Sequence, residues 1–246
     1  MTLELTLDSI YDGRLKIAQP AEGYRFSLDA LLLADFARPS PGQTVIDLGA
    51  GVGVVALALA WRLGQGRVLA VEIQPRLAEL ARKNAEINRQ AAVEVLEMDW
   101  TRLTLDHLGG PADYAVCNPP YREIGTGRIN PGDEEAAARH ELRGRLVEAA
   151  RAAGRILSPS GRLAVVYPAS RLVSMIADLI STGFEPKRMR LVHSRAGEKA
   201  KRVLVEARLG GRPELNIEPP LYVYTVGLSY TDEAEAILAG RASGGP

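Results

Sequence analysis

The run Val45-Ile46-Asp47-Leu48-Gly49-Ala50-Gly51-Val52-Gly53 constrains this chain more than any other stretch. A buried-strand pattern opens through three alternate glycines into the apolar segment Val54 to Trp61, so it reads as strand, tight turn and helix. Glycine permits the tight turn and lets backbone approach a ligand closely. Glu72 ends the next strand-like run, Arg67 to Glu72, where a carboxylate can accept from both hydroxyls of a ribose. Further strands are expected at Val93 to Met98, Asp113 to Cys117 and Gly161 to Tyr167, alternating with helices at Gly53 to Leu63, Pro75 to Asn88, Glu134 to Leu157 and Ser170 to Ser181. Pro75 suits the first turn of its helix, where no N–H is needed. The alternation predicts an α/β fold with a parallel sheet wound on both sides.

After the apolar run Tyr114-Ala115-Val116-Cys117 comes Asn118-Pro119-Pro120-Tyr121. Two prolines have fixed φ and no N–H, so the loop offers carbonyl acceptors without competing donors. An Asn amide oxygen and an aromatic face complete a pocket suited to a planar molecule bearing an NH2 group. The lone pair of such an amine on adenine is delocalised into the ring. Hydrogen bonds accepted by Asn118 Oδ1 and the Pro119 carbonyl would stabilise the positive charge that develops on nitrogen as it attacks a methyl electrophile, and Tyr121 would stack the ring. A merely rigid turn with Tyr121 as a packing residue is the structural alternative.

Acidic and basic residues balance at 30 each, so any nucleic-acid footprint must be local. The segment from Lys187 to Arg202 is strongly basic and separates two strand-like stretches, Met189 to His193 and Val203 to Arg208. It reads as a β-hairpin carrying a basic arm. Arg122, Arg128, Arg139, Arg143 and Arg145 form a second basic group after the proline loop, with a solvated helix face as the alternative for the later members. Gly125 to Gly132 is rich in turn formers and reads as a substrate lid or as an ordinary surface loop. Pro219-Pro220-Leu221-Tyr222-Val223-Tyr224 is an extended segment suited to a sheet edge or a pocket rim.

At 246 residues, 46% of them hydrophobic, the chain can cover one large core without a second domain. The single cysteine, Cys117, excludes a disulfide framework, fits a reducing compartment and reads as a buried small hydrophobe. His107, His140 and His193 lack ligand spacing, so no metal is expected. There is no signal pattern at the amino terminus, and no apolar run approaches the ~20 residues that span a bilayer. A cytoplasmic protein without membrane partners is expected. The sequence sets no oligomeric state.

The Asp-x-Gly-x-Gly-x-Gly form of residues 47–53, with Glu72 and then Asp99, resembles the class I S-adenosylmethionine-dependent methyltransferases. That resemblance implies a Rossmann-like fold, with a mostly parallel seven-stranded sheet, helices on both faces and a C-terminal antiparallel hairpin. It implies that Asp47, Gly49, Ala50, Gly51, Gly53, Glu72, Ile73, Asp99, Trp100 and Asn118 hold the cofactor, S-adenosyl-L-methionine. Asp99 is also placed to cap a helix beginning at Trp100-Thr101-Arg102. The segment Gly23 to Phe36, the stretch Cys117 to Tyr121, Ala138-Arg139-His140-Glu141, the basic hairpin and Pro219-Pro220-Leu221 are together similar to the bacterial methylases that N6-methylate the adenine 3′ of the anticodon in a valine tRNA. This narrower resemblance implies one domain over 1–246. Residues 1–40 would close over the cofactor's methionine end through Ser27 and Asp29, 41–208 would be the catalytic core, and 209–246 an extension. Ser27 could equally be only a helix cap. It also implies a tRNA or other RNA substrate, with Arg122, Arg128, Arg195, Lys199, Lys201 and Arg202 as its contacts.

Two other activities share parts of this pattern. Enzymes that methylate glutamine side-chain amides in release factors carry the same Asn-Pro-Pro-Tyr loop, since an amide NH2 poses the same chemical problem. They typically place a helical domain before the cofactor turn, whereas only about forty residues precede Asp47 here. A noncatalytic RNA-binding protein on the same fold is the third reading, since fold alone does not prove activity.

Overall fold

The computed structural model describes residues 4–22, 25–119 and 146–241. An amino-terminal hairpin of β1 (Leu5–Ile10) and β2 (Leu15–Pro20) precedes α1 (Leu28–Phe36). Then follow β3 (Thr44–Leu48), α2 (Val54–Leu63), β4 (Arg67–Glu72), α3 (Pro75–Ile87), β5 (Val93–Glu97), α4 (Leu105–Leu108) and β6 (Ala112–Cys117). The described part of α5 covers 146–156. It leads into β7 (Leu157–Pro168), α6 (Leu172–Ser181), β8 (Phe184–His193), β9 (Ala200–Leu209), the two-residue strands β10 (Asn216–Ile217) and β11 (Leu221–Tyr222), and α7 (Asp232–Leu238).

Strands β3 to β11 form one sheet, ordered β10-β8-β9-β7-β6-β3-β4-β5 with β11 also on β8. β5, β4, β3, β6 and β7 run parallel, and β9 is antiparallel to both β7 and β8. These are the five strands of the alternation and the two of the expected hairpin, the seven that the resemblance implies. β10 and β11 extend the edge beyond them, so the proline-led segment does cover a sheet edge. Strand β7 begins four residues earlier than expected. Its register against β6 shifts between Ala112 and Tyr114, so 157–160 is an irregular lead-in before regular pairing at Arg162.

Alternation along the strands separates two cores. Val45, Val68, Ala70, Val116, Ala164 and Leu204 face α1, α2 and α3. Ile46, Leu69, Val71, Ala115, Val165 and Val205 face α5 and α6. Both faces are covered, which is why the central strands read as near-continuous apolar runs. Among the described residues no helix is long and apolar enough to cross a membrane.

The β1–β2 hairpin is held by side chains rather than by the main sheet. Asn84 on α3 and Asn88 at its C-terminal cap lie four residues apart on one face. Asn84 Oδ1 accepts from Ala18 N at 2.7 Å, and its Nδ2 donates to Ala18 O and Val52 O, both at 2.9 Å. Asn88 accepts from Lys16 N and donates to Lys16 O, both at 2.7 Å. Two amides thus stand in for a strand edge, and Asn84 also reaches the glycine turn.

A buried ionic network ties α1 to β6, β8 and β9. Glu206 accepts from the Tyr114 hydroxyl and lies 3.2 Å from Arg188 Nη2 and 3.4 Å from Arg162 Nη1. Arg188 also pairs with Glu218 at 3.1 Å, donates to Phe36 O and lies 4.0 Å from the centre of the Phe36 ring. Burial and the Glu206 charge together hold the Tyr114 hydroxyl protonated well above its ordinary range. Arg188→Ala should leave Glu206 buried beside a single, partly exposed cation and cost about 3–5 kcal/mol in urea unfolding. Arg188→Met with Glu206→Gln should lose less, and a single variant as stable as wild type would reject this network as a support.

Candidate active site

The sheet reverses direction of growth at β3. The chain lays β4 and β5 on one side of it and returns to place β6 and β7 on the other, and ligands bind at the strand C-termini where such a switch occurs. Leu48 pairs with Cys117, so the glycine turn and Asn118 leave adjacent strand ends together.

Gly49, Gly51 and Gly53 have φ of +80°, +57° and +85°. A Cβ on Gly49 would meet Trp100 Cζ3 at 2.7 Å, so glycine is required there by close approach as well as by φ. Val71 O accepts from Gly49 N at 2.9 Å and from Ala50 N at 3.0 Å, which pins the turn to β4. Glu72, 5% exposed, completes it. Its Oε2 accepts from Gly51 N at 2.8 Å and its Oε1 from Gln74 N at 2.9 Å. The carboxylate expected to meet a ribose is therefore also the brace between two turns. Each oxygen keeps further acceptor capacity for a hydroxyl.

Other expected residues are placed as follows. Asp99 caps the short 3-10 turn Trp100–Arg102, its Oδ1 accepting from Thr101 N at 2.8 Å, so the capping role is realised. Trp100 packs over Gly49, Ala50 is buried and Ile73 is exposed at the rim. Ser27 precedes α1, and its side chain makes no capping bond. Asp29 is buried and accepts from Arg202 Nε at 2.7 Å. The structure thus gives Arg202, still partly exposed, a carboxylate partner at the start of α1. Arg195 is half-buried at the β8–β9 turn, while Lys199 and Lys201 are exposed. Pro120, Tyr121, Arg122 and Arg128, the lid 125–132 and the arginines 139, 143 and 145 lie outside the described residues.

Asn118 follows β6 directly, and Pro119 beside it is buried. Its Oδ1 is buried and, alone among the buried side-chain nitrogen and oxygen atoms of the described residues, has no hydrogen-bond partner. Leaving a buried acceptor unmade costs about 1–3 kcal/mol, a cost that a ligand donor removes. Cys117, next to it, is buried with its thiol pushed far up by desolvation, with a further push from Asp47, so it is no nucleophile.

A profile of the methyltransferase small domain family matches residues 28–182. The chain belongs to that family. This methyltransferase is 31% identical over 202 residues to the tRNA1(Val) (adenine(37)-N6)-methyltransferase of Porphyromonas gingivalis, covering 79% of its own length and 78% of the other's. Among solved structures it resembles a predicted O-methyltransferase from Agrobacterium tumefaciens, with TM-score 0.71 and 29% identity over 87% of this chain and 97% of that one. It also resembles TrmN from Thermus thermophilus, with TM-score 0.54 and 26% identity over 73% of this methyltransferase and 48% of that chain, about half its length.

Sequence reasoning missed Asn84, which holds Val52 O in the glycine turn. Within Arg-Lys-Asn-Ala-Glu it reads as one more exposed polar residue, and only its position opposite β2 reveals the role.

Asp47 carries the clearest electrostatic signature. It is buried beneath the turn, where Oδ2 accepts from Ala56 N at 3.1 Å. Its carboxyl is pushed up from 3.8 to about 7, by burial first, against the bond from Ala56, with the Glu72 charge pushing it further. Between about pH 4 and about pH 7 the native chain keeps a proton that the unfolded chain has released, so stability should fall as pH rises through that window and level off above it. Asp47→Asn has no such proton to lose. Urea midpoints across the window should show a flatter profile for the variant, and equal slopes in both proteins would reject the assignment.

Proposed function

We propose that this methyltransferase moves a methyl group from S-adenosylmethionine to the N6 amine of an adenine in tRNA, near the anticodon, in the cytoplasm. The buried, unpartnered Asn118 Oδ1 beside the glycine turn carries this reading. An amide oxygen accepts hydrogen bonds and has no useful basicity, so it suits an NH2 and not a hydroxyl awaiting deprotonation. The P. gingivalis relative is named for the same reaction on tRNA.

The site fits the cofactor on chemical grounds. The turn at Gly49 to Gly53 allows backbone approach, and Glu72 offers remaining lone pairs to hydroxyls. Ile73 and Trp100 present apolar surface, Asp99 stands beside Trp100, and Ser27 and Asp29 stand at the start of α1. In this reading residues 1–40 cover the site, 41–208 form the core and 209–246 extend it as one domain. When bound, S-adenosylmethionine supplies an electrophilic methyl on sulfonium. The target adenine leaves its stack and enters the pocket. Asn118 Oδ1 and the Pro119 carbonyl take the two N6 hydrogens in hydrogen bonds, aim the nitrogen and stabilise the charge it develops. Tyr121 stacks the ring. The nitrogen becomes acidic as it gains the methyl, so the chain needs no strong base.

Asn118→Ala should slow single-turnover methylation of tRNA by about 10²-fold or more, the scale of losing one charge-stabilising partner, with cofactor affinity nearly unchanged. Methylation at wild-type rate would falsify the assigned role.

Lys199 and Lys201 flank Ala200, the first residue of β9, at the same sheet edge as Asn118, since Arg202 pairs with Pro168 at the C-terminal end of β7. Replacing both lysines by alanine should weaken tRNA binding and make the logarithmic salt slope shallower by about 1.5–2 units in filter binding. Glutamine methylation in a protein, the runner-up, predicts no tRNA affinity to lose.

A further inference from the structure

The 223–230 segment after β11 is anchored in the core at Val223 and is also tied by hydrogen bonds to the β8–β9 turn. Val223 N donates to His193 O at 2.9 Å and Tyr224 N to Ser194 O at 2.8 Å. Arg195 donates from Nε and Nη2 to Gly227 O, each at 3.2 Å, and its guanidinium lies 5.5 Å from the centre of the Tyr224 ring. Thr225 N donates to Ser229 O at 2.9 Å and Thr231 N to Val223 O at 3.0 Å, closing the segment on itself. Tyr224 and Tyr230 stack at 5.1 Å between centroids with 22° between planes. This well-tied loop nevertheless exposes Val226 at 103%, Leu228 at 85% and Tyr230 at 37%. Ordered backbone that presents apolar and aromatic side chains to water is the signature of a contact surface.

Location and charge identify the occupant. β11 runs parallel to the end of β8, so the loop emerges at the sheet edge that carries Asn118. Four strand spacings, β6 to β7, β9, β8 and β11, separate them, about 19 Å. Lys199 and Lys201 stand exposed between the two places. The first turn of α7, which begins two residues after Tyr230, carries Asp232, Glu233 and Glu235, so the cations that can meet phosphate lie on the β8–β9 side of the ring. An anionic strand bearing flat apolar bases matches this order of cations and rings.

Resting on the tRNA reading above, we infer that Tyr230, backed by Tyr224 and Arg195 and flanked by Val226 and Leu228, is a stacking platform for an unpaired nucleotide of the substrate RNA. The strand that delivers the target adenine to Asn118 continues past Lys199 and Lys201 and sets another base on the Tyr230 ring. The platform holds the flank while the target base is out of its stack.

The test is binding of a tRNA transcript by the full chain across a salt series, with Tyr230→Ala, Tyr230→Phe and Val226→Ser with Leu228→Ser. Tyr230→Ala should weaken affinity by about 5- to 150-fold, the range for losing one base–aromatic stack, with an unchanged salt slope because stacking releases no counterions. Tyr230→Phe should bind like wild type, and cofactor affinity by calorimetry should stay constant in all three variants. If wild type binds and methylates tRNA while Tyr230→Ala retains full affinity, the platform is wrong and the methylation reading stands. Wild type that binds no tRNA overturns both. Sedimentation showing that the double variant converts a dimer to a monomer, with tRNA affinity intact, would assign the surface to a second copy of the chain and overturn the platform.

Discussion

The in-register parallel pairing of β3 with β6 is the constraint on which the site depends. Leu48 opposite Cys117 brings the glycine turn and Asn118 out of neighbouring strands at one edge, though 68 residues lie between Gly49 and Asn118 in the chain. A slip of one residue would turn Val45 and Ile46 to the wrong cores and move the turn off the switch point. Two apolar faces, each covered by helices, make that slip expensive.

Buried polar groups then set the fine geometry. Glu72 spends both carboxylate oxygens on Gly51 N and Gln74 N, so the side chain that faces the cofactor in the proposed function also shapes the loop around it. Asp47 and Glu72 share the ground under the turn, and a proton on Asp47 relieves their repulsion. Asn84 extends the same framework outward, joining Val52 to the β1–β2 hairpin. On the other flank, Arg188 and Glu206 bind α1 to the antiparallel strands, and Arg202 with Asp29 repeats that tie at the active-site edge. Among the buried side-chain polar atoms of the described residues only Asn118 Oδ1 is unpaired, and the proposed function gives it a donor in the substrate amine.

Strands were legible wherever both faces are buried. Thr44–Leu48 and Arg67–Glu72 match the sequence reading at both ends, because a five- or six-residue apolar run bounded by turn residues leaves little freedom in where pairing starts. Elements with one wet face were harder to read. The amino-terminal hairpin went unforeseen, since β1 alternates with its apolar Leu5 and Leu7 exposed and the edge of β2 is held by Asn84 on α3 and Asn88 at its cap. The β8–β9 hairpin proved longer at both ends than its apolar centre suggested, extended by pairs such as Phe184 with Leu209, Glu185 with Arg208 and His193 with Ala200. The register shift in β7 has no sequence signature either.

The sequence by itself determined the α/β alternation, the glycine turn, the carboxylate closing β4 and the Asn-Pro-Pro-Tyr loop after β6, because hydrophobic period, glycine conformation and proline chemistry are local properties. Tertiary structure alone decided how those pieces are shared out. It bonded Glu72 to two backbone amides, used Asp99 as a cap, paired Arg202 with Asp29 and tied 223–230 to the β8–β9 turn. A side chain's chemistry is written in its residue type, but its partner is whatever the folded sheet brings within about 3 Å, and a charge such as Arg202 reads identically in the sequence whether it meets a carboxylate or a phosphate.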